Sequence, residues 1–252
     1  TPGSNTNPIY SDEFARESFV GINHEAHRLH IPIENDYKIT DNIEAGVVRT
    51  TNYDNYDFLL VGAGLSLSGI EFIKYKPYFK TADWINKLIK RVTKSQEIFY
   101  PGSLIKDKTR YFVEHSQCSV GIFVNRNFSG ISTVLVLLED KSDDFLIRYA
   151  HRLLKNDPKV HVTFHDEHKL LSTEDTFKEQ YKEFIRHYPD AVKLSKSKNG
   201  TGSFQKYSFM LISYQSWIRI TESDSNKLDS IPSTLIINKK ESRFSKVGKG
   251  VS

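Results

Sequence analysis

The sequence predicts an α/β protein made of two related units with parallel sheets. Strand and helix signals alternate over residues 131–240, the pattern that produces parallel pairing. A closing apolar strand occurs twice, at Cys118-Ser-Val-Gly-Ile-Phe-Val124 and more weakly at Ile231-Pro-Ser-Thr-Leu-Ile-Ile-Asn238. The short run Asp57-Phe-Leu-Leu-Val61 ends in Gly62-Ala-Gly64, as strands covered on both faces do.

Thr1 to Ser11 is polar and reads as a flexible leader. Asp12 to Leu29 carries a loose helical pattern through Phe14, Val20 and Leu29, and Ile31 to Ile39 alternates like a strand. Thr40-Asp41 is placed to cap a helix over 42–50, with Ile43 and Val47 on one face. In the segment Ile70 to Gln96, Trp84, Ile85, Leu88, Ile89 and Val92 form one apolar stripe, and Lys87, Lys90, Arg91 and Lys94 decorate the rest. Such a helix packs on its own domain, meets a partner helix or lies on a membrane surface. A helix after Gly102-Ser103 leads into the strand at Cys118, and Asn125 to Gly130 links the two units.

The second unit reads more cleanly. Ser132–Leu138 is a strand, and Ser142 caps a helix with Phe145, Leu146, Tyr149 and Leu153 on one face. Val160–Phe164 is the next strand, and Thr173–Tyr188 a helix with Phe177, Tyr181, Phe184 and Ile185 inward. Lys193 to Gln205, with Gly200 and Gly202, reads as a loop; Ser208–Tyr214 and Thr234–Ile237 are the remaining strands. The expected organisation is a leader (1–11), a first unit (12–126) interrupted by an insertion (70–96) and without recognisable opening strands, a second unit (131–240) and a polar tail (241–252).

At 252 residues and 29.1 kDa the chain can bury one large core or two small ones. Its 38% hydrophobic and 26% charged residues are ordinary for a globular protein. A single Cys excludes a disulfide framework and fits a reducing compartment. No apolar run reaches the roughly 18–20 residues needed to span a bilayer, and no signal peptide is visible. A net charge of +4 allows attraction to an acidic surface but does not argue for nucleic acid. No Ser-His-Asp order, paired-acid motif or P-loop stands out, so no enzyme is expected. His24 and His27 share a helix face without a Cys or carboxylate beside them, so no metal site is expected. His161, His165 and His168 read as a solvated cluster or as a proton sensor. Cys118 reads as an inert core residue.

The pattern strand-Gly62-x-Gly64, Gly102-Ser103-helix-His115-x-x-Cys118-Ser-Val-Gly-Ile-Phe-Val-Asn-Arg126 is similar to the end of a universal stress protein domain. The Cys118–Arg126 wording, with Lys141-Ser-Asp-Asp-Phe-Leu-Ile-Arg-Tyr-Ala-His-Arg152 after the Ser132–Leu138 strand, more narrowly resembles the C-terminal soluble half of monovalent cation/proton antiporters of the second family. Plant cation/proton exchangers and the fungal potassium/proton antiporter belong there. The resemblance runs roughly from Glu13 to Lys240 and is specific at Cys118–Arg126 and Val134–Leu154. It implies two stress-protein-like units packed as a pseudo-duplicate. It further implies a regulatory role on the cytosolic side of an internal membrane, Golgi or endosomal. The implied partners are the transmembrane part of the same antiporter and a second copy of the chain.

In stress proteins, glycines after the fourth strand and a Gly-Ser before the next helix cradle ATP phosphates. The resemblance makes Gly62, Gly64, Gly69, Gly102 and Ser103 the candidate cradle here, with ATP or another adenine nucleotide as its ligand. The sequence departs from that pattern. The first pair is spaced Gly-x-Gly, an insertion intervenes, and the opening strand with its adenine-side Asp is missing. Leu211-Ile-Ser-Tyr-Gln-Ser216 in the second unit carries no glycine at all. A stand-alone nucleotide-binding sensor is the alternative function.

Overall fold

The structure is a computed structural model that describes residues 8–38, 40–63, 108–195, 204–223 and 231–240. The chain divides into two compact units, residues 1–46 and 47–252.

In the first unit, helix α1 spans Pro8–Arg28, so it starts before Asp12. His30 at φ 54° ends the run in the left-handed region, and the Ile31 N–H turns back to the Ala26 carbonyl. Residues 31–38 form no strand, contrary to the alternation in their sequence. Pro32 lacks the N–H a ladder needs, and Ile31 and Ile33 stay exposed. Helix α2, Ile43–Tyr53, starts in this unit and continues from Val47 as part of the second; it is capped by Asn42, whose Oδ1 accepts the Ala45 N–H at 2.8 Å, rather than by Thr40-Asp41.

The second unit is built on seven strands: β1 (Phe58–Gly62), β2 (Ser119–Val124), β3 (Thr133–Leu138), β4 (His161–Asp166), β5 (Val192–Leu194), β6 (Phe209–Ser213) and β7 (Ser233–Asn238). They form one mixed sheet in the order β1-β2-β7-β6-β3-β4-β5. Every neighbouring pair is parallel except β2 and β7, which run antiparallel through Ile122↔Ile236. The strands of the two sequence-predicted units therefore meet edge to edge, last strand against last strand, in a single sheet. Within it, β3 to β7 form a block whose chain winds one way to β4 and β5, then returns past β3 to β6 and β7. This is the doubly wound arrangement.

Helices α3 (Lys108–His115), α4 (Phe145–Asn156), α5 (Leu170–Thr173), α6 (Asp175–His187) and α7 (Tyr214–Ser223) connect and cover the strands. The two-residue period of each strand divides the core between the two faces. Val134, Val136, Leu138, Val162, Phe164 and Leu211 pack on one face with Phe145, Leu146, Ala150 and Leu154 of α4 and Phe177 and Phe184 of α6. Leu135, Leu137, Met210, Ile212, Ile236, Val120 and Ile122 pack on the other with Val48, Phe112, Trp217 and Ile220. Three further expectations need correcting. β5 begins at Val192 and runs into the segment read as a loop from Lys193, because the β4 edge gives it a ladder. The expected 173–188 helix is α6, starting at Asp175, and is preceded by a short helix, α5, that the sequence did not suggest, with Asp166 accepting the N–H groups of Leu170 and Leu171, both at 2.8 Å, to start it. Helix α7 fills a stretch for which the sequence suggested no element after the strand.

Candidate functional site

In a doubly wound sheet the ligand crevice lies outside the carboxyl ends of the strands where the winding reverses. Here that point falls between β3 and β6. The β3 side supplies Glu139 to Asp144 and the β6 side supplies Ser213 to Arg219, and these two segments bond to each other.

Asp140 follows β3 directly and caps the 3-10 turn Lys141–Asp144, its Oδ1 accepting the Ser142 N–H at 2.9 Å. The cap is therefore Asp140 and not Ser142. Asp143, three residues on, closes a capping box. It is fully buried, and its Oδ2 accepts the N–H groups of Glu139 (2.8 Å) and Asp140 (3.0 Å) and the hydroxyl of Ser216 (2.8 Å). Ser216 sits in the first turn of α7, where its own N–H donates to Ser213 Oγ at 3.1 Å. One turn further, Arg219 donates from Nη1 to Asp140 Oδ2 at 2.9 Å and from Nη2 to Ser216 Oγ at 3.3 Å. The bond to Ser142 first, and Arg219 after it, hold the Asp140 carboxyl below the usual aspartate range. The crevice thus carries the protein's own anion. Asp143 meets the first turn of α7 through the Ser216 hydroxyl, tying the two sides of the crevice together.

Polar side-chain pairs continue along the rim. His168 lies 3.5 Å from Glu139, His165 lies 3.2 Å from Glu167, and Lys141 lies 2.8 Å from Glu174. The three histidines of the expected cluster do not come together. His161 opens β4 and bonds the Lys159 carbonyl, whereas His165 and His168 lie at its far end, about 13 Å along the strand. His165 is buried beside the Phe204 ring. Among the described residues no three His, Cys, Asp or Glu are grouped to hold a metal. Cys118 is 7% exposed just before β2, and burial pushes its thiol pKa up.

Of the candidate cradle, only Gly62 lies within the described residues; Gly64, Gly69, Gly102 and Ser103 lie outside them. Gly62 ends β1, and a Cβ placed on it would meet no described atom within 4 Å. Because β1 and β2 oppose the other five strands, Gly62 lies at the opposite end of the sheet from Asp140 and Ser216. The two units thus present their strand ends to different edges. The sequence reading missed Asp140, Asp143, Ser216 and Arg219. The Asp-x-x-Asp capping pattern after an apolar strand was available as a signal for the first two. The spacing of Ser216 and Arg219, one turn apart, was the weaker signal for the others.

No protein-family model matches the chain, and no curated protein matches it. Among solved structures, a universal stress protein from Archaeoglobus fulgidus aligns over 92% of this chain and 78% of its own, at 12% identity and a TM-score of 0.49. A functionally unknown protein from Pseudomonas aeruginosa aligns over 88% of this chain and 76% of its own, at 10% identity and a TM-score of 0.43. The assignment to the doubly wound α/β class rests on the strand order and register themselves.

Proposed function

We propose that this chain is a regulatory α/β domain acting through protein contacts, the cytosolic part of a potassium (or sodium)/proton antiporter. The observation that carries the contact-based part is the tie across the crevice. A fully buried Asp143, held by two backbone N–H groups of its own segment, accepts from Ser216 and so links the two sides of the switch point where a nucleotide-binding sheet would present a glycine-lined turn. The antiporter part is supported by the wording of Cys118–Arg126 and Val134–Leu154, whose residues form β2, β3 and α4. In this reading the domain faces the cytosol at a Golgi or endosomal membrane and pairs with a second copy. It performs no catalysis. It biases the membrane part by binding one transport state better than another, since regulation needs differential binding. Among the described residues no helix is long and apolar enough to cross a membrane, so the ion path would belong to a separate part of the protein.

The test is the reading frame from which the chain is expressed. About a dozen apolar segments, each of roughly 20 residues, should precede Thr1 in the same frame. A stop codon directly upstream would sink the antiporter assignment. A stand-alone nucleotide sensor is the second reading, favoured by Gly62 at an open strand end. A thermal shift with ATP at 100 times its dissociation constant would amount to about 2.7 kcal/mol and would support it; no shift with ATP, ADP, AMP or NAD removes it.

A further inference from the structure

The helices on the α4–α6 face stop short of the sheet's end. α6 lies over β4 and α4 over β3 and β6; β7 still buries Ile237 in this layer, and beyond it the described helices of this face only half-bury Phe123 and Phe58 and leave Leu60 and Gly62 open. On this face β1 and β2 present Phe58, Leu60, Gly62, Gly121 and Phe123, paired as Leu60↔Gly121 and Gly62↔Phe123. Leu60 is 60% exposed and Phe128, stacked edge-on against Phe123 at 5.4 Å, is 41% exposed. The opposite face of the same strands buries Val120, Ile122 and Val124 under α2 and α3. The exposure is thus confined to one side.

The uncovered strip has a wall and a charge. α4 stands along it, with the Tyr149 ring 5.9 Å from Phe58. Arg152 lies 5.6 Å over that ring, and Arg148 and Arg152 are both exposed. Lys239 is matched by Asp144 at 3.8 Å, and Asp57 lies just before β1, so the positive charge of this corner sits on the α4 wall, at Arg148 and Arg152. The step from the sheet up to the crest of α4 is about one helix high, roughly 10 Å. A flat membrane cannot settle into such a corner, whereas a helix laid beside α4 completes the layer.

We propose that the Leu60–Phe123–Phe128 strip is a docking groove for an amphipathic helix of a partner protein, with its apolar stripe on the strip and acidic residues facing Arg148 and Arg152. The inference rests on the sheet and not on the antiporter assignment.

The test uses the whole chain and a fluorescein-labelled, four-turn peptide of Leu at i, i+3, i+4 and i+7 with Glu elsewhere, and a Lys counterpart. Anisotropy should rise with the acidic peptide only. Leu60→Asp should abolish the rise, and the pair Arg148→Glu, Arg152→Glu should weaken binding about tenfold or more and admit the Lys peptide. No rise, or a rise indifferent to Leu60→Asp, overturns the proposal. So does a large drop in melting temperature for Leu60→Asp without peptide, because this chain would then already cover the strip. A dimer in sedimentation that Leu60→Asp dissolves assigns the strip to a second copy, and a Leu60-dependent affinity for phosphatidylserine vesicles in place of the peptide assigns it to a membrane; either outcome also overturns it.

Discussion

The five-stranded block β3–β7 and the two-stranded flank β1–β2 share a sheet but are finished differently. The block is covered on both faces. Val134, Val136, Leu138, Val162 and Phe164 meet α4 and α6, and Leu135, Leu137, Met210 and Ile212 meet the other face's layer, all nearly or fully buried. The flank is packed closely on one face; on the other, Phe58 and Phe123 are only half-buried against the α4 layer, and Leu60 and Gly62 are exposed. Burial on both faces makes a strand intolerant of change, while burial on one face leaves the other available for a partner.

The sharpest way to break this contrast is truncation. Phe164→Ala in the block removes a fully buried ring that meets Tyr181 and Phe184. It should cost about 3–5 kcal/mol in urea unfolding, whereas Leu60→Ala on the flank should stay within about 0.5 kcal/mol. Equal costs would mean that the flank is as enclosed as the block. Asp143→Ala should come next, at about 2–4 kcal/mol, because it strands two buried N–H groups and the Ser216 hydroxyl. Ser216→Ala should cost less, since the two backbone bonds survive.

Gly121 tests the seam. A Cβ there would lie 2.5 Å from the Phe58 ring. Gly121→Ala should cost about 1–3 kcal/mol, and adding Phe58→Ala should recover part of that loss. Simple additivity would show that the ring is not the obstacle. The smallest effects are electrostatic. The lowered Asp140 carboxyl contributes stability that is present above the unfolded aspartate pKa, about 3.9, and is lost as pH falls through the lower folded value. Asp140→Asn should therefore lower stability slightly at neutral pH and flatten the acid side of the curve, the difference from the parent chain vanishing at low pH. For Cys118 the sign is opposite, because its thiol is raised by burial. Its contribution is complete below about pH 8.5 and declines as pH rises through the folded value, a decline that Cys118→Ala should lack. A thiol reagent should label Cys118 at the rate of unfolding.

Much of the fold was legible. Alternating apolar runs placed β2, β3, β4, β6 and β7 to within a residue or two, and the Phe145, Leu146, Tyr149, Leu153 stripe placed α4. The failures have specific causes. β5 is three residues, Val192-Lys-Leu194, and exists because β4 offers an edge. In α7, Trp217, Ile218, Ile220 and Thr221 favour strands locally, and burial of Trp217 and Ile220 decides for a helix. Residues 31–38 have the alternation of a strand but pair with no strand among the described residues. The candidate crevice was less legible, because Ser216 lies 73 residues from Asp143 and Arg219 lies 79 from Asp140.

The sequence by itself determined the α/β class, the position of most strands, the burial of Cys118 and the absence of glycine after β6. These follow from side-chain period and local chemistry, which act over a few residues. Tertiary structure alone decided that both predicted units share one sheet, that β2 meets β7 head to tail, and that Asp143 meets Ser216 across the crevice. Those outcomes depend on which strand edges and side chains meet across more than seventy residues of chain, and no local pattern encodes that choice.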